Sequence, residues 1–261
     1  MDGHGEDSDG QVLGDDRASV NSIVLHARSD SHDNSQRCAM RKPIVHEVLA
    51  TLYLRLNGYF TTGLILHSDI HGRNRTDIDC LAIRHPHHEQ LDRIIETDAF
   101  LDPSKELTDL IICEVKSDPS SLGFNKPIQN EIEILRNTLR WAGIFTKRQA
   151  NSVADRLQPL FRDGVPMKMA REGVNEAGCR VRPLLCCPPC PEPVHDRWCV
   201  TKAEIFDFAD RCFNPAEPRP SSSVRYNFQQ WGYPFTSIVQ YLKDSKNSRS
   251  LEGLYEHLKA E

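Results

Sequence analysis

The sequence lacks any apolar run long enough to cross a membrane, and its start lacks the pattern of a secretory signal. No run approaches the roughly 18 to 20 apolar residues that a membrane-spanning helix needs. Residues 1–7 contain neither the basic nor the apolar region of a signal peptide. We therefore expect a cytoplasmic protein with no membrane partner. Its 261 residues, 39% of them hydrophobic, suit one large globular domain or two small ones.

The chain also lacks the excess of positive charge that a nucleic-acid-binding protein often carries. Lys and Arg number 32 against 37 Asp and Glu, which gives a formal net charge of −5. Residues 1–35 hold eight of the acids and two of the bases, so residues 36–261 carry 30 bases and 29 acids, a net charge of +1. Because the acidity belongs to the N-terminal segment, the net charge does not exclude a nucleic-acid partner. Residues 1–36 are rich in Asp, Gly, Ser and Asn, which predicts a mostly disordered segment.

The cysteines lack the even number that complete internal pairing would require. Nine cysteines without a secretory signal favour reduced core residues over a disulfide framework. Cys187, Cys190, His195 and Cys199 have the spacing C-x2-C-x4-H-x3-C, one residue short of a zinc knuckle. Two prolines between the first two cysteines also restrict the turn that would bring four Zn²⁺ ligands together. A buried strand followed by a proline-rich loop is the favoured interpretation, with Zn²⁺ as the alternative.

Apolar periodicity predicts alternating helices and strands from residue 43 onward. Val45, Val48, Leu49 and Leu52 recur at helical spacing after Pro43, until Asn57-Gly58 ends the pattern. Further segments are predicted as strands at 59–67, 76–83, 110–116, 180–187 and 197–201, and as helices at 128–141, 147–161 and 201–213. This order predicts an α/β fold with a mixed central sheet of about four or five strands flanked by helices, within a domain of residues 37–213.

Residues 214–261 are predicted to form a linker and a C-terminal helical appendage. The stretch 214–223 contains three prolines and three serines, and helices are expected at 228–242 and 251–258. The appendage could serve a homodimer or another protein partner. Its aromatic residues, including Trp231 and Phe235, are interpreted as packing on the core, with base stacking as the alternative. His85, His87 and His88 are interpreted as surface residues, with contact to a substrate as the alternative.

Charged residues stand inside two of the apolar strands. Asp77 and Asp79 lie in the second strand, and Glu114 and Lys116 lie in the third. Side chains two residues apart on a strand share a face, so Asp79, Glu114 and Lys116 converge if these strands are neighbours. Buried carboxylates are unfavourable through desolvation and mutual repulsion, and a divalent cation would relieve both. Mg²⁺ is bound through one or two carboxylates, and a nearby lysine could position or deprotonate a water.

These residues and their order resemble the PD-(D/E)XK superfamily of restriction-endonuclease-like nucleases. The resemblance rests on a helical Glu47, on Asp77-Ile78-Asp79 before the apolar residues 80–83, and on Glu114-Val115-Lys116 after the apolar residues 111–113. It covers about residues 43–145. It implies a restriction-endonuclease-like core, in which helix, three strands and helix follow in that order.

The resemblance also implies an activity and a site. It implies an endo- or exodeoxyribonuclease that uses Mg²⁺ or Mn²⁺ to hydrolyse phosphodiester bonds of DNA, in roles such as antiviral defence or DNA repair. Glu47 matches a glutamate that supports the metal through water, and Gln129 matches a glutamine near the scissile phosphate. The implied catalytic residues are Asp79, Glu114, Lys116, Glu47 and Gln129, and the implied metal residues are Asp79, Glu114, Glu47 and Asp77.

Two readings without catalysis stay open. Glu114 or Asp79 could form a plain ion pair with Lys116 inside the sheet, because Glu-x-Lys alone is a weak signal. The chain could also be a catalytically silent nucleic-acid-binding or assembly subunit that retains the nuclease fold. The four preceding apolar residues, 110–113, argue against a solvated strand edge.

Overall fold

A computed structural model describes residues 40–67, 74–89, 95–214, 231–244 and 250–261. The predicted N-terminal segment 1–36 and most of the predicted linker lie outside these residues. The helices are α1 (Lys42–Leu56), α2 (Lys126–Asn130), α3 (Ile132–Ala142), α4 (Lys147–Leu157), α5 (Met167–Glu172), α6 (Lys202–Phe213), α7 (Phe235–Lys243) and α8 (Leu251–Leu258). The strands are β1 (Phe60–His67), β2 (Asn74–Arg84), β3 (Thr108–Val115), β4 (Val174–Glu176), β5 (Cys179–Cys187) and β6 (Cys199–Thr201).

The strands form one mixed, open sheet flanked by helices, which confirms the predicted α/β class. Its order is β1-β2-β3-β5-β4, and β6 also pairs with β5. β1, β2 and β3 are antiparallel, whereas β3, β5 and β6 are parallel. The described residues hold six strands rather than the four or five expected. The addition is β4, whose three residues are too short to show a periodic pattern.

Helices cover both faces of the sheet. One face carries Cys80, Ala82 and Ile111, which pack in a single core with α1, α6, α7 and α8. The other face carries Leu110 and Ile112, which pack against α2, α3 and α4. Neighbouring residues of β3 therefore enter different cores, as the period of two in a strand requires. This double cover explains why residues 109–114 are all buried.

The two C-terminal helices contribute to the core that α1 occupies. Ile238 and Leu242 of α7 and Leu254 of α8 are each at most 1% exposed and pack in that core. The apolar faces of these helices are thus buried within the chain itself. A homodimer or protein partner at residues 214–261 stays a prediction. None of the helices that the structure describes is both long and apolar enough to span a membrane.

Three predicted helices have different limits in the structure. The helix expected over 147–161 ends at Leu157, and a 3-10 turn over residues 158–161 follows it. The helix expected over 128–141 is divided at Glu131, whose backbone is extended with φ −112° and ψ 95°. The Glu131 carboxylate accepts a hydrogen bond from Arg75 Nε at 2.7 Å, which ties this break to β2. The helix expected from residue 228 begins at Phe235 among the described residues. Pro234 precedes it, and a proline disfavours a helical conformation in the residue before it.

A buried ionic network fixes the start of β3 to its neighbours. Asp109 accepts hydrogen bonds from Tyr59 Oη at 2.6 Å and from Arg182 Nε at 2.9 Å. Arg180 Nε donates to the same carboxylate at 3.2 Å. The Arg182 side chain is fully buried, and its guanidinium carbon lies 4.5 Å from the ring centroid of Trp198. The network joins β3, β5 and the residue before β1 at the end of β3 that is remote from Glu114.

Candidate active site

The predicted neighbours Asp79 and Glu114 lie where β2 and β3 separate. The antiparallel pairing of the two strands runs from Arg84–Asp109 to Cys80–Cys113 and ends there. Asp79 is the next residue on β2, and Glu114 is the next on β3. The Val115 amide donates to Asp79 Oδ2 at 2.7 Å, so the carboxylate crosses to the neighbouring strand. The end of the strand pairing thus brings these two acids together.

Lys116 is held between Glu114 and a residue of the following loop. Its Nζ donates to Glu114 Oε1 at 2.8 Å and to Asn125 Oδ1 at 3.1 Å. Its backbone N–H donates to Cys186 O at 2.7 Å, which anchors the residue to β5. Only 16% of the lysine side chain is exposed. Asn125 was not among the predicted site residues, although its place before the Lys126-Pro127 helix start marks it as a helix-capping position.

The two carboxyl groups of this pair have raised pKa values. Desolvation, together with the negative charges of Asp79 and Asp77, raises the pKa of Glu114 from 4.5 to about 7 against the opposing effect of Lys116. The pKa of Asp79 is raised by desolvation and then by Asp77, whereas the Val115 amide and Lys116 lower it. The ionised carboxylates of Asp79 and Glu114 are therefore less favourable in the folded chain than they would be in water.

Glu47 and Asp77 belong to the same electrostatic environment. The pKa of Glu47 on α1 is raised by desolvation and by the charges of Asp79 and Asp77, and Arg41 opposes this change. Asp77 is exposed on β2. We refer to Glu47, Asp77, Asp79 and Glu114 as the carboxylate cluster. The fold thus brings together all the predicted site residues except one.

Gln129 is the exception, because its amide is occupied within its own segment. Its Nε2 donates to Phe124 O at 2.8 Å, and its Oε1 accepts from Lys126 Nζ at 3.2 Å. The side chain is buried in α2. These contacts direct the amide to residues 124–126 rather than to Lys116. The predicted role of Gln129 near a phosphate therefore has no contact in the structure to support it.

A buried histidine next to Glu47 links three parts of the chain. His46 Nδ1 shares a hydrogen bond with Ser117 Oγ at 2.8 Å, and Nε2 shares one with Tyr255 Oη of α8. Burial and the charge of Lys42 lower the pKa of His46 to about 4, so the ring is neutral at pH 7. This bridge connects α1, the residue after Lys116, and the C-terminal helix. Sequence reasoning missed it, because it joins residues separated by 71 and 209 positions.

The four residues of the alternative zinc site do not form a single group. Cys187, Cys190 and Cys199 are buried together with Leu185, whereas His195 is exposed on the following loop. Burial raises the pKa of Cys187 to about 11. All eight cysteines within the described residues are buried. In that part of the chain no three His, Cys, Asp or Glu side chains are arranged to hold a metal ion, at the cysteines or at the carboxylate cluster.

Comparison with models of protein families, with curated proteins and with solved structures found no match to this chain. The interpretation of the site therefore depends on its own residues and geometry.

Proposed function

We propose that this chain hydrolyses phosphodiester bonds of nucleic acid with the help of a divalent cation. The observation that supports this most strongly is the meeting of Asp79, Glu114 and Lys116 where β2 and β3 separate. The buried Glu114 and the half-buried Asp79 offer oxygen ligands to a cation, and the ordered Lys116 offers a positive charge to a phosphate group. DNA is the substrate that the resemblance to the PD-(D/E)XK superfamily implies.

Asp79 and Glu114 offer the kind of donor atom that Mg²⁺ or Mn²⁺ takes, although no three side chains of the described residues are arranged to hold an ion. Both ions prefer oxygen ligands, and Mg²⁺ needs only one or two carboxylates because water and substrate phosphates fill its other positions. Asp79 and Glu114 would hold the ion, with Glu47 and Asp77 acting through water. The raised pKa values of Asp79 and Glu114 support this fit, since a cation would offset their desolvation and repulsion. Such an ion supplies positive charge that stabilises the negative charge developing on a phosphate.

The chain's own groups would orient the reactants. Glu114 and Asn125 hold Lys116 Nζ from two sides, which keeps an ammonium group at a fixed place beside the cluster. This ammonium would position a water and stabilise charge on the phosphate. The Val115 amide fixes the direction of the Asp79 carboxylate. Because these contacts exist before substrate binds, the site would need little reorganisation.

The order of elements supports the restriction-endonuclease-like core that the sequence suggests. α1 carries Glu47, β2 carries Asp77 and Asp79, β3 carries Glu114, and α2 follows the loop after Lys116. This is the order of helix, strands and helix that the resemblance implies for residues 43–145. Antiviral defence and DNA repair stay proposals drawn from the same resemblance.

A cleavage panel tests the proposal. Wild type, Lys116→Ala and Asp79→Asn are each incubated with linear, circular and single-stranded DNA and with RNA, in Mg²⁺ or Mn²⁺. We expect cleavage by wild type and a loss of at least about 100-fold in each variant, the usual scale for removing a group that transfers or orients a proton. Lys168→Ala is the matched control, because that lysine side chain is 85% exposed on α5. Full activity of Lys116→Ala would contradict the proposal.

A catalytically silent subunit is the second candidate, and the Lys116–Glu114 ion pair favours it. That pair already supplies a counter-charge to one buried carboxylate without a cation. Calorimetric titration with Mn²⁺ separates the two functions. A hydrolase should bind the ion and lose binding in Glu114→Ala. A silent subunit should show no binding, or the same binding in both proteins.

A further inference from the structure

A separate cleft lies beside the start of β1 and the second half of α1. Its volume is about 590 Å³, within the roughly 300–1,000 Å³ typical of small-ligand sites. The side chains that matter for the argument are Thr51, Arg55, Phe60, His88, Trp231 and Phe235. They come from four separate parts of the chain. The cleft is therefore a product of the tertiary fold.

Glu47 of the carboxylate cluster lies on the same side of α1 as two residues that line the cleft. Glu47, Thr51 and Arg55 follow one another at intervals of four residues, so they lie along one side of the helix. None of the three is among the buried residues of α1. At 1.5 Å per residue, Glu47 and Arg55 are about 12 Å apart along the helix axis. One extended ligand could therefore reach from the proposed site of hydrolysis into the cleft.

Aromatic side chains line the cleft. Phe60 leaves 65% of its surface exposed, although its backbone is paired with that of Ile83 in the sheet. His88 meets the Phe60 ring edge-on, with the ring centroids 6.3 Å apart. Trp231 and Phe235 form another wall, with their ring centroids 6.4 Å apart. An exposed aromatic face in a cleft is suited to a planar ligand that stacks on it.

The positively charged side chain of Arg55 lies beside these aromatic groups. The Arg55 guanidinium carbon lies 5.2 Å from the Trp231 ring centroid and 4.6 Å from that of Phe235. Arg55 takes no part in the ion pairs that the structure gives between described residues. Since an arginine is always charged, the cleft combines surfaces for a planar ring with a site for an anion.

We propose that this cleft binds an unpaired base and an adjacent phosphate of a single-stranded nucleic acid. The inference depends on the proposed function, and it assigns a single-stranded segment to the substrate. In a duplex, stacked neighbours cover both faces of each base, so only an unpaired base can stack on Phe60. Arg55 would contact the phosphate next to that base. The strand would continue along Thr51 and Glu47 to Lys116.

Binding in the absence of metal tests the inference separately from cleavage. Fluorescence anisotropy in EDTA measures the affinity of the full chain for labelled oligothymidylate, for an abasic strand of equal length, and for a blunt duplex. We expect oligothymidylate to bind most tightly. Phe60→Ala should weaken the binding of oligothymidylate roughly tenfold or more, because one base loses its stacking partner. The affinity for the abasic strand should stay unchanged. Trp141→Ala is the control, since Trp141 is 53% exposed on α3, on the opposite face of the sheet.

Arg55→Gln tests the anion site. This variant should weaken the binding of oligothymidylate and of the abasic strand alike. It should also reduce the slope of log affinity against log salt by about one, the change expected when one phosphate contact is lost. Circular dichroism of each variant confirms that the fold is retained. Equal oligothymidylate binding by Phe60→Ala and wild type would overturn the inference, as would duplex binding as tight as single-strand binding.

The results also separate this inference from the proposed function. Single-strand binding that depends on Phe60, without cleavage in Mg²⁺ or Mn²⁺, would retain the cleft and reject the hydrolase. Cleavage that depends on Lys116, together with single-strand binding that is unaffected by Phe60→Ala, would retain the hydrolase and reject the cleft.

Discussion

Replacing Glu114 by glutamine is expected to stabilise the metal-free protein at pH 8. Only 6% of the Glu114 side chain is exposed, and desolvation raises its pKa from 4.5 to about 7. Glutamine has nearly the same shape, carries no charge, and retains an Oε1 atom that can accept from Lys116 Nζ. The variant therefore removes the unfavourable ionised carboxylate and keeps the packing of this position.

The size and direction of the effect follow from the pKa. A carboxyl group with a raised pKa binds its proton more tightly in the folded chain than in the unfolded chain. Its contribution to stability is fully present below pH 4.5 and is lost as pH rises through 7. At about 1.4 kcal/mol for each unit, the shift corresponds to about 3 kcal/mol at pH 8. For a domain of this size that is roughly 6 to 12 °C in Tm.

Urea unfolding in EDTA, followed by circular dichroism between pH 5 and pH 8, measures this difference. Glu114→Gln and wild type should have similar free energies of unfolding near pH 5 and should diverge as pH rises. Glu256→Gln is the matched control, because Glu256 is exposed on α8 and should change stability by less than about 0.5 kcal/mol at every pH. Equal stability of wild type and Glu114→Gln at pH 8 would refute the reasoning.

Three further perturbations have defined outcomes. Asn125→Ala should lower kcat roughly tenfold without changing Mn²⁺ affinity, because Lys116 loses one of its two fixed contacts; turnover assays and calorimetry check both values. Wild type should lose stability as pH falls below 6.5, by at most about 3 kcal/mol near pH 4, because burial lowers the pKa of His46 to about 4 and the folded chain resists its protonation. His46→Gln should remove this loss. Urea unfolding across that pH range measures the difference. Asp109→Ala should destabilise the fold by roughly 3 to 5 kcal/mol, because it leaves Arg182 charged and buried without the Asp109 carboxylate. An unchanged Tm in thermal unfolding would contradict this.

Local patterns predicted the elements that carry the site. The helical spacing of Val45, Val48 and Leu49 predicted α1, and the apolar runs around Asp79 and Glu114 predicted β2 and β3. These signals are strong because each element buries most of its residues in the two cores. The pairing of β2 with β3 then followed from the assumption that consecutive strands are neighbours, and the structure confirms that pairing.

Contacts between distant segments could not be predicted in the same way. Asn125 reaches Lys116 because the loop after β3 turns back, and the loop residues do not reveal the direction of that turn. Trp231 reaches the cleft from a segment more than 150 positions after Phe60. Glu131, at the break between α2 and α3, forms an ion pair with Arg75 of another element. Each of these features is decided by tertiary packing rather than by local periodicity.

The buried thiols give the folded chain a built-in chemical reporter. Alkylating reagents attack the thiolate, and burial raises the pKa of both Cys80 and Cys179 to about 12. A native chain therefore exposes almost no reactive sulfur at Cys80 on β2 or at Cys179 on β5. The rate at which each of these cysteines becomes labelled measures how often its strand opens, as amide hydrogen exchange does for a backbone N–H. Mass spectrometry of alkylated peptides could thus compare the opening of the site-bearing strand β2 with that of β5 in one experiment.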